Sequence, residues 1–148
     1  MTVSRKILCI VYGVIAALAL VATWGHNIAY LDQGFVAGTA SFWRDTLATP
    51  ASRSITADIF FFGLAVFVWM VLEARRLKLR GVWLYLLFGM LIAISVTVPI
   101  FLINRERALA ATERSSTAGF LGSLDAVGLG LLGAGFVAYA VIALLASA

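Results

Sequence analysis

Four long blocks of apolar residues dominate the chain. Ile7–Trp24, Ile59–Leu72 and Val82–Ile103 contain no charged side chain, and the fourth block, within Ala118–Ala148, contains only Asp125. Crossing a bilayer takes about 20 mostly apolar residues in a helix, at 1.5 Å per residue. Allowing for flanking residues, the blocks predict membrane-spanning helices over about 7–27, 55–74, 82–103 and 118–148.

The fold class follows from the length of these blocks. Backbone N–H and C=O groups inside hydrocarbon must be paired within the protein, and segments this long achieve that pairing as helices. Composition agrees, since 63% of the residues are hydrophobic and 12% are charged, against about 25% charged in a typical soluble domain. We therefore expect a single transmembrane domain, residues 1–148, that folds as an all-α integral membrane four-helix bundle.

The connection between the first two blocks has a pattern of its own. Phe35, Phe42, Trp43 and Leu47 recur at helical spacing, and Pro50 follows them. This pattern predicts a short amphipathic helix over about 33–48, lying in the membrane interface. A lid over a lateral opening would have the same pattern, so both interpretations stay open.

Charge sets the expected orientation. The second block is followed closely by four cations, Arg75, Arg76, Lys78 and Arg80. Short cation-rich loops face the cytoplasm, and four spans would then place both termini in the cytoplasm. On this topology Arg105 and Arg107 belong to the outer side. The expected location is the bacterial cytoplasmic (inner) membrane, with the chain crossing it several times.

The N-terminus resembles a signal peptide, because Arg5 and Lys6 precede an apolar run. The run is longer than a typical signal-peptide core, and no small-residue cleavage site follows it. We therefore expect the first helix to be retained.

Candidate site residues cluster near the predicted outer surface. Candidate catalytic residues are Asp58, Asp125 and His26, and candidate ligand-binding residues are Asn27, Ser95 and Thr97. A carboxyl group kept neutral by desolvation could donate a proton there. Each acid also has a structural explanation: Asp58 suits the first turn of a helix, where the dipole favours negative charge, and Asp125 is either interfacial or directed inward.

Motifs for other chemistry are missing from the sequence. The one histidine and the one cysteine, His26 and Cys9, fall at opposite ends of the first predicted helix, so we expect no metal site. No phosphate-binding loop or catalytic triad pattern occurs, and we expect no cofactor. The pI of about 9.7 is explained by anchoring at the membrane, so nucleic acid is not an expected partner.

Two short motifs carry a family resemblance. The first, W-x-x-x-E-x-R-R, comprises Trp69, Glu73, Arg75 and Arg76, preceded by Asp58 at the start of the helix. The second, P-x-F-L-x-x-R, comprises Pro99, Phe101, Leu102 and Arg105, and Trp83 opens the helix between them. From about Ile7 to Arg107 the chain resembles a family of small bacterial integral membrane proteins of unassigned function. The resemblance implies a membrane fold and a bacterial inner-membrane location, and it implies no activity.

Two functions fit these features. The first is a non-catalytic accessory or structural subunit of a larger membrane complex, with membrane lipid and other membrane subunits as partners. The alternative is a membrane enzyme or binding protein for an isoprenoid-like lipid, using Asp58 or Asp125 near the outer leaflet. The sequence favours the subunit, because the segments outside the blocks contain no recognisable catalytic set.

Overall fold

Every ordered element is helical in the computed structural model, which describes residues 1–112 and, beyond them, Ser123, Val127, Gly130, Leu131, Ala134, Val137, Ala138 and Val141. The elements, in chain order, are α1 (Val3–Asn27), a 3-10 helix (Ile28–Gln33), α2 (Phe35–Asp45), α3 (Pro50–Arg76), α4 (Val82–Leu91) and α5 (Ile94–Thr112). The all-α prediction is thus confirmed for these residues. The predicted helix 118–148 and Asp125 fall outside the part that the structure describes as an element.

Within the described residues, two helices are long and apolar enough to cross a membrane. They are Pro50–Arg76 and α1 together with its 3-10 extension, Val3–Gln33. In their most apolar windows only 11% and 6% of the residues, respectively, are buried inside the protein. The core helix of a soluble protein would be mostly buried, so the exposed apolar surface of both helices favours contact with lipid.

The ends of α3 are fixed by local hydrogen bonds. At its start the Thr49 side chain accepts from the Ser52 N–H, and the Ser52 hydroxyl in turn accepts from the Thr49 N–H. This capping box satisfies two backbone donors, and Pro50 at the first helical position needs none. At its end the Leu79 N–H donates to the Ala74 carbonyl and the Lys78 N–H to the Arg75 carbonyl, which closes the helix as a Schellman motif.

The prediction of a single helix over 82–103 is wrong, because the structure has two helices in this segment. The chain reverses at Ile92 and Ala93, so that α4 and α5 form an antiparallel helical hairpin. Tyr85 near the start of α4 lies against Phe101 of α5, with ring centroids 5.6 Å apart. The Trp24 indole N–H of α1 donates to the Ile92 carbonyl at 3.3 Å, which satisfies an acceptor that the end of α4 leaves without a helical partner.

The hairpin packs tightly because small side chains face its neighbours. A Cβ atom on Gly89 of α4 would lie 2.9 Å from the Thr97 hydroxyl oxygen and 3.2 Å from a ring carbon of Phe67. Glycine therefore allows α4 to approach both α5 and α3 at this point. Below it, the main core is formed by Met70, Ala74, Val82 and Phe101.

The hairpin is too short to cross a bilayer. At 1.5 Å per residue α4 is about 15 Å long, against about 30 Å of hydrocarbon. Ile94, at the tip of the hairpin, contacts α3 at Gly63, ten residues and about 15 Å from Glu73. The hairpin therefore rises along the second half of α3 and returns to the end of the molecule from which it started.

The 3-10 helix and α2 form a cap near the opposite end of α3. Gly38 allows their close approach, because a Cβ atom there would fall on the Tyr30 carbonyl. The Trp43 ring lies 5.7 Å from that of Phe60, which connects α2 to α3. Helix α2 occupies the segment, about 33–48, that the sequence predicts to lie in the membrane interface.

Candidate functional site

Charged side chains from three helices meet at the base of the hairpin. Glu73 comes from the last turn of α3, Arg105 and Glu106 from α5, and Arg5 from the first turns of α1. Because α5 returns toward the start of α4, residues more than thirty positions apart in sequence become neighbours. We call the chain of ion pairs Arg5–Glu106–Arg105–Glu73–Arg76 the basal ion network.

Glu73 is the centre of one half of this network. Its carboxylate accepts two hydrogen bonds from Arg76, from Nε and Nη2, both at 2.7 Å. A third comes from Arg105 Nε at 2.6 Å. The Glu73 side chain is 8% exposed and Arg105 is 25% exposed, whereas Arg76 is 60% exposed. The Arg105 bond is therefore the less hydrated of the two ion pairs, and it ties α5 to α3.

Glu106 is the centre of the other half. One of its oxygens accepts from Arg5 Nη1 at 2.9 Å and the other from Arg105 Nη1 at 2.7 Å. The Arg5 and Glu106 side chains are 6% and 7% exposed. Arg105 thus bridges two carboxylates through two of its nitrogens, and Arg5 extends the network to α1.

The geometry suits a structural clamp. Buried charges are tolerated only when they are paired and hydrogen-bonded, and each carboxylate oxygen here accepts at least one charge-assisted bond of the strong kind. No buried side-chain nitrogen or oxygen within the described residues lacks a hydrogen-bond partner. Neither carboxylate offers an unoccupied oxygen to a reacting group.

Aromatic side chains pack together near the network, and one of them, Phe101, belongs to the core. The Phe101 ring meets Trp69 edge to face at 5.8 Å, and Tyr85 at 5.6 Å in the same manner. The Asn104 amide donates to the Tyr85 hydroxyl at 2.9 Å. The contact of Trp69 with Phe101 joins the two sequence motifs, as does the ion pair of Glu73 with Arg105.

The structure describes five of the six site residues expected from the sequence, and Asp125 lies outside the described residues. Asp58 is exposed on α3, His26 and Asn27 are half-buried at the end of α1, and Ser95 is exposed. Thr97 is buried, and its hydroxyl donates to the Ala93 and Ile94 carbonyls at the start of α5.

An open groove lies between the cap and the start of α3. Its volume is about 330 Å³, and it is lined by Tyr30, Phe42, Asp45, Thr46, Ser52, Ile55 and Thr56. The Tyr30 hydroxyl donates to Asp45 at 2.7 Å within it. Neither Asp58 nor His26 lines this groove. Among the described residues no cluster of His, Cys, Asp and Glu could hold a metal ion.

Comparison with known families assigns the chain to one family over most of the described residues. A family model described as "Protein of unknown function DUF2834" matches residues 11–107. The chain belongs to this family. No curated protein and no solved structure matches it. The resemblance to a family of unassigned function is thereby confirmed. The matched region contains Glu73, Arg76, Arg105 and Glu106, whereas Arg5 precedes it.

Sequence reasoning missed the basal ion network because it treated 82–103 as one span. That assignment put Arg105 and Arg107 at the opposite end from the turn at Arg75–Arg80, which the structure contradicts, since Arg105 binds Glu73 beside that turn. A signal was available: the family motifs contain one acid and one distant arginine, Glu73 and Arg105, each adjoining an apolar block. Charges of opposite sign at such positions are candidates for pairing.

Proposed function

We propose that this DUF2834 protein is a multi-pass protein of the bacterial cytoplasmic membrane, in which α1 and α3 cross the bilayer and the hairpin enters it from the cytoplasmic side. Charge asymmetry is the observation that supports this orientation. Of the eleven Lys and Arg residues, eight belong to the end that contains the basal ion network: Arg5, Lys6, Arg75, Arg76, Lys78, Arg80, Arg105 and Arg107. Arg44 and Arg53 belong to the opposite end, and the eleventh, Arg114, lies outside the described residues. Cations favour the cytoplasmic side.

The hairpin changes the expected position of the C-terminus. With two complete crossings before Thr112, α5 ends on the same side as the N-terminus. A single crossing by the predicted helix 118–148 would then place the C-terminus outside, in contrast to the cytoplasmic C-terminus expected from four spans. A reporter active only outside the cytoplasm, fused to the C-terminus, should be active, and the same reporter inserted after Lys78 should be silent. Activity after Lys78 would contradict the orientation.

Contacts of α1 with α5 support a retained first helix. Arg5 binds Glu106 near one end of α1, and Trp24 binds Ile92 near the other. A cleaved signal peptide would leave both partners, one of them a buried carboxylate, without these bonds. We therefore expect the mature chain to retain its N-terminus, which intact-mass measurement tests directly.

We further propose that the protein acts as a non-catalytic subunit of a larger membrane complex. The observation that supports a structural role is that the buried carboxylates of Glu73 and Glu106 are both bound by arginines. Such an arrangement fixes the positions of the helices relative to one another. In addition, four consecutive apolar residues of α3, Ile59–Phe62, are exposed. They cover about one helical turn and offer an apolar surface to a neighbouring membrane protein.

Photo-crosslinking in cells tests the subunit proposal. A photoreactive residue at Phe61, which is 76% exposed, should give discrete protein adducts, while one at Ile10 of α1, which is 65% exposed, serves as a matched control. Gentle detergent extraction and mass spectrometry should recover the same partner. If Phe61 yields only lipid adducts and no subunit co-purifies, the subunit proposal fails.

The alternative, a protein that binds or modifies an isoprenoid-like lipid, is supported by the groove at the cap. Ile55 lines this groove, and Asp58 lies three residues further along α3, next to Ile55 on the helix surface. The discriminating experiment pairs Asp58→Asn with Asp125→Asn. Loss of function at normal abundance in either variant would favour the lipid site, and silent variants together with a partner crosslink at Phe61 would favour the subunit.

A further inference from the structure

The hairpin brings exposed cations from three helices to one end of the molecule. Lys6 of α1, Arg107 of α5, and Arg75, Lys78 and Arg80 around the turn between α3 and α4 are all exposed. We call these five residues the basal cation patch. Each lies within a few residues of a member of the basal ion network, so the patch surrounds that network.

The patch is not neutralised by the acids beside it. Glu73 and Glu106 are the acidic residues at this end of the described chain, and both are engaged by Arg5, Arg76 and Arg105. Arginines inside the network therefore use up the available negative charge. The five exposed cations therefore carry a surplus of positive charge that the acids of residues 1–112 at this end do not offset.

From this surplus we propose that the basal cation patch binds the headgroups of anionic phospholipids and selects them over zwitterionic ones. The inference rests on the proposed membrane orientation. Phosphate oxygens accept charge-assisted hydrogen bonds from arginine and lysine, and arginine can bind them through two nitrogens. Basic residues next to a membrane helix interact with the anionic leaflet within about a Debye length.

Apolar side chains beside the patch favour lipid over another polyanion. Ile7, directly after Lys6, is 55% exposed, and Leu84, four residues after Arg80, is 59% exposed. Trp83 is 64% exposed at the start of α4, the position of an interfacial aromatic anchor. A phospholipid supplies both an anionic headgroup and an acyl chain at this boundary. An RNA or an acidic soluble protein would contact the cations and leave the apolar surface uncovered.

Trp83 provides a local probe of the lipids at this end. The protein is reconstituted into bilayers that contain brominated phosphatidylglycerol or brominated phosphatidylcholine, and tryptophan quenching is measured. The part of the quenching that disappears in Trp83→Phe belongs to the base of the molecule, and the part that disappears in Trp43→Phe belongs to the cap.

We expect the Trp83 component to show roughly a five-fold preference for phosphatidylglycerol, the factor that one basic residue contributes near an anionic surface. Changing all five patch residues to glutamine should abolish the preference, and raising the salt concentration should weaken it. The matched control, Arg44→Gln with Arg53→Gln, removes cations from the other end and should leave the Trp83 component unchanged.

The outcomes separate this proposal from the membrane assignment. Equal quenching of Trp83 by both lipids, or a preference that survives in the five-residue variant, would overturn the headgroup proposal alone. Patch-dependent binding of RNA by the solubilised protein, without a lipid preference, would also overturn it in favour of a nucleic-acid surface. If no tryptophan is quenched by either lipid, the chain is not in the bilayer, and the orientation proposal fails as well.

Discussion

The bond between Glu73 and Arg105 offers the sharpest test of the hairpin, since it exists only if α5 returns to the end of α3. The perturbation is a double-mutant cycle of Glu73→Gln, Arg105→Gln and the combined variant. Glutamine retains the approximate shape of glutamate and removes the charge. Glu73 forms ion pairs with Arg76 and Arg105, and Arg105 forms ion pairs with Glu73 and Glu106.

The expected magnitudes follow from burial. Removing one partner of a buried ion pair costs about 3–5 kcal/mol, whereas a solvent-exposed pair contributes about 0.2–1 kcal/mol. Arg105 is 25% exposed, so Glu73→Gln should cost about 3 kcal/mol, near the lower limit. Arg105→Gln should cost about 3–4 kcal/mol, because it leaves two buried carboxylates, Glu73 and Glu106, with one fewer cation each.

The two effects should not add. Once Glu73 is neutral, removing Arg105 no longer breaks the ion pair between them. The combined variant should therefore lose about 2 kcal/mol less unfolding free energy than the sum of the two single losses, which is within the range found for contacting residues. The free energy of unfolding can be measured in mixed micelles by raising the fraction of denaturing detergent and following tryptophan fluorescence.

Lys6→Gln is the matched control, because it removes an exposed cation from the same end and should change stability by less than about 0.5 kcal/mol. Additivity of the Glu73 and Arg105 effects to within about 0.5 kcal/mol is the result expected of independent sites. That result would refute the pairing and, with it, the return of α5 to the end of α3.

Three further substitutions probe the hairpin and its base. Gly89→Ala should destabilise the protein by about 1–3 kcal/mol through overpacking against Thr97, and adding Thr97→Ala should recover part of this loss in the same unfolding assay. Trp24→Phe should cost about 1 kcal/mol, the contribution of its hydrogen bond to Ile92, and an unchanged midpoint would contradict that bond. Lys78 has a positive φ of 55°, a left-handed conformation that is strained for residues other than glycine. Lys78→Gly should therefore be neutral or raise the free energy of unfolding by up to about 1 kcal/mol. Marked destabilisation would argue against this turn geometry.

The long helices could be predicted because their signal is local. The apolar blocks led to helices over about 7–27 and 55–74, and the structure has helices at Val3–Asn27 and Pro50–Arg76. Their true ends depend on short-range caps, such as the pair Thr49 and Ser52, which the block lengths alone do not specify.

The hairpin could not be predicted in the same way. Ile92 and Ala93, where the chain reverses, are neither glycine nor proline, and the apolar run continues through them without a break. The reversal depends on tertiary contacts: the Trp24 indole at the tip, and the close approach at Gly89. The prediction of one continuous helix placed Arg105 at the wrong end of the molecule, away from Glu73, and so missed the basal ion network.

The half-height hairpin has a consequence for how the protein is inserted into the membrane. In the proposed orientation α4 and α5 enter and leave on the cytoplasmic side, so no charged residue of the hairpin needs translocation. Arg105 and Arg107 then stay on the side where cationic loops are favoured. Within residues 1–112, only the segment joining α1 to α3 has to be exported, and the hairpin can dock afterwards. Arg5 and Glu106, 101 positions apart, would then pair among the last steps of assembly. A chain truncated before α5 would lack the Glu106 carboxylate that Arg5 binds in the complete fold.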